Sequence, residues 1–160
     1  MIGSVPVFDL YHVLLFVHIV AVIAWVGGDI MLLLLAQQVR ANGSQEEMTA
    51  LLGRIERFSK TFFAPLSVVV LAMGMWMAII GGIMAAPWVS TGFLGIFISA
   101  GIGMGYLAPK SRELRALIEA RGKDAPEAVL LGNRLLLWSR LDIVVLLVIV
   151  VVMVFKPGAV

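Results

Sequence analysis

Three side chains on one apolar stretch near the N-terminus carry the chemical potential of this chain. His18 is followed seven residues later by Trp25 and eleven later by Asp29. At about 100° per residue both offsets return to within about 20° of His18, so imidazole, indole and carboxylate share one helical stripe with Val22. An ionisable group inside an apolar span is costly and is a functional candidate by default. His12 lies about 120° round from His18 and beside Asp9 and Tyr11, where it reads as an interfacial polar residue.

Two chemistries could use His18. One is haem ligation, for which imidazole is a usual axial ligand and a four-helix bundle a good container. Both histidines are on the first helix, so a second ligand would be Met73, Met77 or Met104, Lys110, a histidine of another subunit, or nothing; Trp25 and Met77 are the expected neighbours of the haem. The other is copper, since thioether and imidazole suit Cu(I) and Met73, Met75 and Met77 are bunched; the plain reading of that trio is core filling.

Asp29 needs a partner. It lies on the order of 10 Å inside the apolar run at about 1.5 Å per residue, and Arg140 near the start of the last run is at a comparable depth. An Asp29–Arg140 ion pair is therefore expected. Asp142 sits about 200° from Arg140 and must find Arg134 or a polar cavity. The plain alternative is that these charges only fix helix register, with Arg140 snorkelling to the interface.

These residues need a scaffold in lipid. Hydrophobic residues make up 61% of the 160 and charged residues 14%, and the excess lies in long runs that a water-soluble core would not need. Four runs reach the roughly 20 residues that cross a hydrocarbon core: 10–36, 62–86, 88–108 and 135–155. The fold expected is an all-α membrane protein, a four-helix up-down transmembrane bundle forming one domain over 1–160. The first run is too long, and its flank lacks the basic residues, for a cleaved signal peptide. Basic residues cluster in two loops: Arg40, Arg54, Arg57 and Lys60, then Lys110, Arg112, Arg115, Arg121, Lys123 and Arg134. The positive-inside rule puts both loops in the cytoplasm and both termini outside, as in a bacterial inner-membrane protein. The basic balance belongs to these loops, and nucleic acid is not an expected partner. The absence of cysteine excludes disulfides and thiolate sites. No P-loop, zinc spacing or hydrolase triad is present.

The loops have internal order. Ser44 and Glu47 form a capping box ahead of Met48, Leu51, Leu52, Ile55 and Phe58, so a short amphipathic cytoplasmic helix should lie at the inner interface and run into the second span. Gly122 suits the end of the third helix. Asp124, Pro126 and Glu127 read as a start signal for the fourth. Ala86-Pro87-Trp88 should fold the second and third spans into an antiparallel hairpin. Trp88 is placed for an outer aromatic belt, with Tyr106 and Trp138 at the inner face. Small-residue ridges run through Gly74, Ala78 and Gly82 on the second span and Gly95, Ser99 and Gly103 on the third. Gly101 and Gly105 add an offset ridge, which leaves the third helix free for a homo-oligomer or a larger membrane complex.

The segment HIVAVIAWVGG, with His18, Trp25, Gly27 and Gly28, resembles the first-helix signature of the CopD-like membrane superfamily. That group includes copper-resistance proteins and the four-helix protoporphyrinogen oxidase type. With Pro65, the MGMWMA segment and a short fourth helix, the plan is also similar to a family of predicted bacterial integral membrane proteins. The resemblance implies haem b on His18 and membrane redox chemistry. The alternative is a membrane component without haem, either a structural partner or a carrier of a metal ion or small solute.

Overall fold

Every regular element in the computed structural model, which describes residues 9–158, is helical. The Asp9 carboxylate accepts the Tyr11 amide at 2.6 Å and starts α1 (Leu10–Asn42). Ser44 and Glu47 close the expected capping box at the head of α2 (Gln45–Phe58). A π turn, Ser59–Phe63, joins α2 to α3 (Ala64–Ile80) without a break. After a tight turn, α4 (Pro87–Ala100) continues through a second π segment, Gly101–Leu107, into α5 (Ala108–Arg121). α6 (Pro126–Phe155) closes the chain. Pro126 is at its first turn as expected, but Asp124 does not cap it, because the cap position falls on Ala125. Gly122 has φ +91°, a conformation that favours glycine.

These elements form four continuous helices of 33, 36, 35 and 30 residues, each long and apolar enough to cross a membrane. At about 1.5 Å per residue they outrun a hydrocarbon core of about 30 Å. The surplus projects at the end that carries the basic loops. Large apolar side chains such as Phe16, Ile23, Val68, Phe97 and Val154 are left exposed around the spans, the surface that lipid covers.

The two π segments share a cause. Each ends two residues before a proline, Pro65 or Pro109. A proline in a helix lacks an amide donor and its ring clashes with the carbonyl four residues back, here Thr61 and Gly105. Widening the preceding turn by one residue relieves that clash.

α1 packs against α3 and α6, and α4 packs against α6, so the order round the bundle is α3, α1, α6, α4. α3 and α4, joined by a tight link, touch only weakly. The expected hairpin is thus antiparallel but splayed, because Gly74 of one small-residue ridge and Gly95 of the other meet other helices. Gly74 admits His18 of α1, while Gly92 and Gly95 admit Met153 and Ile149 of α6. Nothing lies within 4 Å of where a Cβ would stand at Gly101, Gly103 or Gly105.

Two apolar clusters hold the bundle. One, inside the spans, is Ala21, Trp25, Val70 and Leu146. The other lies at the basic end and gathers Met48, Leu52, Leu114, Ile118, Ala128, Leu131 and Leu135 from α2, α5 and α6. The amphipathic helix α2 therefore buries its apolar face against α5, in a cluster that α6 joins, where sequence reasoning laid it along the inner interface.

Candidate functional site

Between the two clusters the helices leave a cavity of about 200 Å³, room for several water molecules. α1 contributes Trp25, Asp29, Leu32, Ala36 and Arg40, one stripe running from mid-span to the basic end. Both π segments border it, through Ser59 and Phe63 on one side and Gly103, Met104 and Leu107 on the other. The helix widenings forced by Pro65 and Pro109 thus flank one space.

The lining is mostly apolar, with polar atoms at chosen depths. Asp29 and Asp142 face each other across α1 and α6. The Trp25 indole sits beside Asp29, and the Ser99 hydroxyl beside Asp142. Ser67 and Ser139 add two more hydroxyls. At the basic end Arg40 donates to the Val129 carbonyl at 3.3 Å. Its Nη1 lies where a side chain at position 132 would stand, 3.3 Å from a Cβ built on Gly132. Glu56 stands at the same mouth and accepts from Lys60 at 3.0 Å and Arg112 at 2.9 Å. The Lys60 bond first, and the Arg112 charge with it, hold its carboxyl below the usual glutamate range.

Buried polar groups in folded proteins are nearly always hydrogen-bonded, and each exception calls for an explanation. Among the described residues four buried side-chain atoms have no partner: Asp29 Oδ2, Arg40 Nη1, Ser99 Oγ and Asp142 Oδ1. All four residues line this one cavity. Ser99 is 2% exposed and Asp142 6%, so bulk water does not satisfy them.

The stripe of His18, Val22, Trp25 and Asp29 does turn inward, with Trp25 7% exposed. His18 Nδ1 is 3.0 Å from the Val70 carbonyl oxygen, and its Cε1 would lie 3.1 Å from a Cβ at Gly74. His18 is not on the cavity lining, whose deep end is closed by Trp25. Met77 is buried but also lies off the lining, and Met75 is exposed. Lys110 pairs with Glu113. His12 is exposed, 3.7 Å from Asp9.

The expected Asp29–Arg140 ion pair is not formed among the described residues: Arg140 is exposed, and the charged residue facing Asp29 is Asp142. With the two α6 residues about 200° apart, only one can face inward, and the fold turns Asp142 in. Of the two environments open to Asp142, the polar cavity is the one found, and Arg134 is exposed. Sequence reasoning missed Ser99, read there as one step of a small-residue ridge, and Arg40, read only as loop charge. It also passed over Pro65 and Pro109 as the signal for the widened turns. No three His, Asp or Glu side chains come together as a metal cluster among the described residues.

Over residues 12–157 the sequence matches the family described as Predicted integral membrane protein (DUF2269), and the chain belongs to that family. No curated protein and no solved structure matches it.

Proposed function

We propose that the protein handles a proton or small cation, which it takes from the basic end of the bundle to the carboxylates of Asp29 and Asp142. The observation that carries this reading is the convergence of four unpartnered buried polar atoms on one cavity. Two facing acids in an apolar bundle repel each other unless a proton or cation lies between them. The donors around that point are carboxylate and hydroxyl oxygens, a set suited to a proton or a hard cation and poorly suited to Cu(I). Arg40 stands at the mouth as a fixed positive charge that sets the barrier to cations. Trp25 separates the cavity from His18, which lies next along the same stripe. By the distribution of Lys and Arg, the mouth faces the cytoplasm and both termini lie outside, in a bacterial inner membrane.

The test is infrared difference spectroscopy on reconstituted protein, exchanging Na+ for a bulky organic cation or shifting pH. The expected result is a change in carboxyl bands that is lost in Asp29→Asn and in Asp142→Asn. Spectra in which both variants match the parent would overturn the reading.

One observation favours a second reading, haem b on His18. A ligating imidazole usually has its other ring nitrogen held by a carbonyl or carboxylate, and His18 Nδ1 has the Val70 carbonyl. The CopD-like resemblance of HIVAVIAWVGG points the same way. Haem would supply one-electron chemistry. The imidazole fits the role of axial ligand. The surroundings do not fit a macrocycle: the cavity is below the ~300–1,000 Å³ of most cofactor sites and does not reach His18. A Soret band in protein from haem-replete cells, lost in His18→Ala, would establish this reading; a colourless protein would remove it.

A further inference from the structure

The sequence of α2 places its apolar residues on one face, and Met48, Leu51 and Leu52 are buried there. The opposite face forms one wall of an open groove whose other wall is Arg115 and Glu119 of α5. Gly53 makes the two walls meet: a Cβ there would stand 3.1 Å from Arg115 Nη1. Arg54 and Arg57 lie on the groove wall and are exposed.

Ion pairing separates these two arginines from the other basic side chains of α2 and α5, while Arg134 and Arg140 of α6, also without an ion pair among the described residues, lie off the groove. Lys60 and Arg112 are held by Glu56, Lys110 by Glu113, Arg115 by Glu119 and Arg121 by Glu127. Lys123 donates to the Gly43 carbonyl and Arg40 to that of Val129. Arg54 and Arg57 have no ion pair among the described residues. They are one helical turn apart, so both guanidinium groups can reach one ligand. The groove also has a fixed height. Phe58 on its rim is 40% exposed and stacks on Phe62, with ring centroids 4.6 Å apart. Phe62 opens the second span, and aromatic rings of this kind settle at the headgroup level of a bilayer.

We infer that this groove binds the phosphodiester headgroup of an anionic glycerophospholipid, gripped by Arg54 and Arg57. Guanidinium forks match phosphate oxygens two at a time. The groove holds about 1060 Å³, ample for a glycerol-phosphate headgroup. A soluble phosphate could use the same chemistry. The exposed aromatic rim at the boundary of the span favours a lipid, whose acyl chains would continue along the exposed face of the bundle.

The experiment uses the full chain reconstituted in phosphatidylcholine vesicles with a minor share of phosphatidylglycerol. Electron spin resonance of spin-labelled lipid compares the two headgroups in the motionally restricted shell. The expected result is a preference for phosphatidylglycerol that falls about fivefold for each of Arg54→Gln and Arg57→Gln, the usual worth of one basic residue at an anionic surface. Arg121→Gln, outside the groove, should leave it unchanged. Unfolding midpoints of these surface variants confirm that the fold is kept. No preference in the parent, a preference that persists in the double variant, or an equal fall in Arg121→Gln would each overturn the inference. Excess glycerol 1-phosphate should leave the restricted fraction in place, and its displacement would assign the groove to a soluble anion instead.

Discussion

Replacing Asp142 with asparagine should stabilise the protein when no cation is supplied. The carboxylate is 6% exposed, its Oδ1 has no partner, and Asp29 Oδ2 across the cavity has none either. An unmet buried hydrogen bond costs about 1–3 kcal/mol, and two facing acids add repulsion or the cost of holding a proton. The amide of an asparagine removes the like charge and offers a donor to Asp29. A gain of about 1–3 kcal/mol follows, the size of one relieved polar atom. The parent should recover the difference when its ligand is present: at a hundred times the dissociation constant, binding contributes about 2.7 kcal/mol. The assay is reversible unfolding in uncharged detergent at neutral pH, with and without added Na+ or K+, followed by tryptophan fluorescence. Should Asp142→Asn lose more than about 1 kcal/mol in cation-free buffer, the carboxylate must already be satisfied inside the fold. Asp142 Oδ1 would then have a partner, and the cavity would need no proton or cation.

Four further outcomes follow from the same geometry. Arg40→Gln removes the positive charge at the mouth, and cation entry into dye-loaded proteoliposomes should rise several-fold without a change in fold. Gly95→Leu drives a side chain into Ile149 and should cost about 1–3 kcal/mol of overpacking in the same unfolding assay, while Gly101→Leu, with open space around it, should be near neutral. Since Asp29 and Arg140 do not pair, losses in Asp29→Ala and Arg140→Ala should add to within about 0.5 kcal/mol in a double-mutant cycle. Glu56 has a carboxyl pKa lowered by the fold, so it binds protons less readily folded than unfolded. Its link to Arg112 should persist through the ordinary glutamate range and be lost only as pH falls through the lower folded value; a carboxyl-carbon NMR titration with a midpoint at or above the ordinary one would contradict this.

The fold was legible because lipid imposes simple rules on sequence. Four long apolar runs, two basic loops and a capping box at Ser44 and Glu47 place the helices, though the second span ends at Ile80 and not at 86, since each backbone group in hydrocarbon must be satisfied inside its own helix. Neighbour relations were less legible. A small-residue ridge says that another helix comes close, not which one. Gly74 could have met α4 and instead meets His18, and Gly95 meets Ile149. The face of α2 was readable from Met48, Leu51 and Leu52, but not its cover, because α5 and α6 only become a surface once the long helices have overshot the membrane.

The site was half legible, and the reason lies in how buried charge is treated. Periodicity found the stripe that carries Trp25 and Asp29. A buried acid is usually answered by a base when its charge must leave water, which pointed to Arg140. This fold turns a second acid inward, with the Ser99 hydroxyl beside it. An arrangement of that kind raises the energy of the bundle, and α6 had an arginine two residues away that could have been turned in its place. The widened turns before Pro65 and Pro109 act in the same direction. Each gives up regular hydrogen bonding, and both border the space in which the acids meet. A fold that only had to be stable would close that space and pair Asp29 with Arg140. Unmet polar atoms and local helix irregularity gathered at one place are what the proposed proton or cation site rests on.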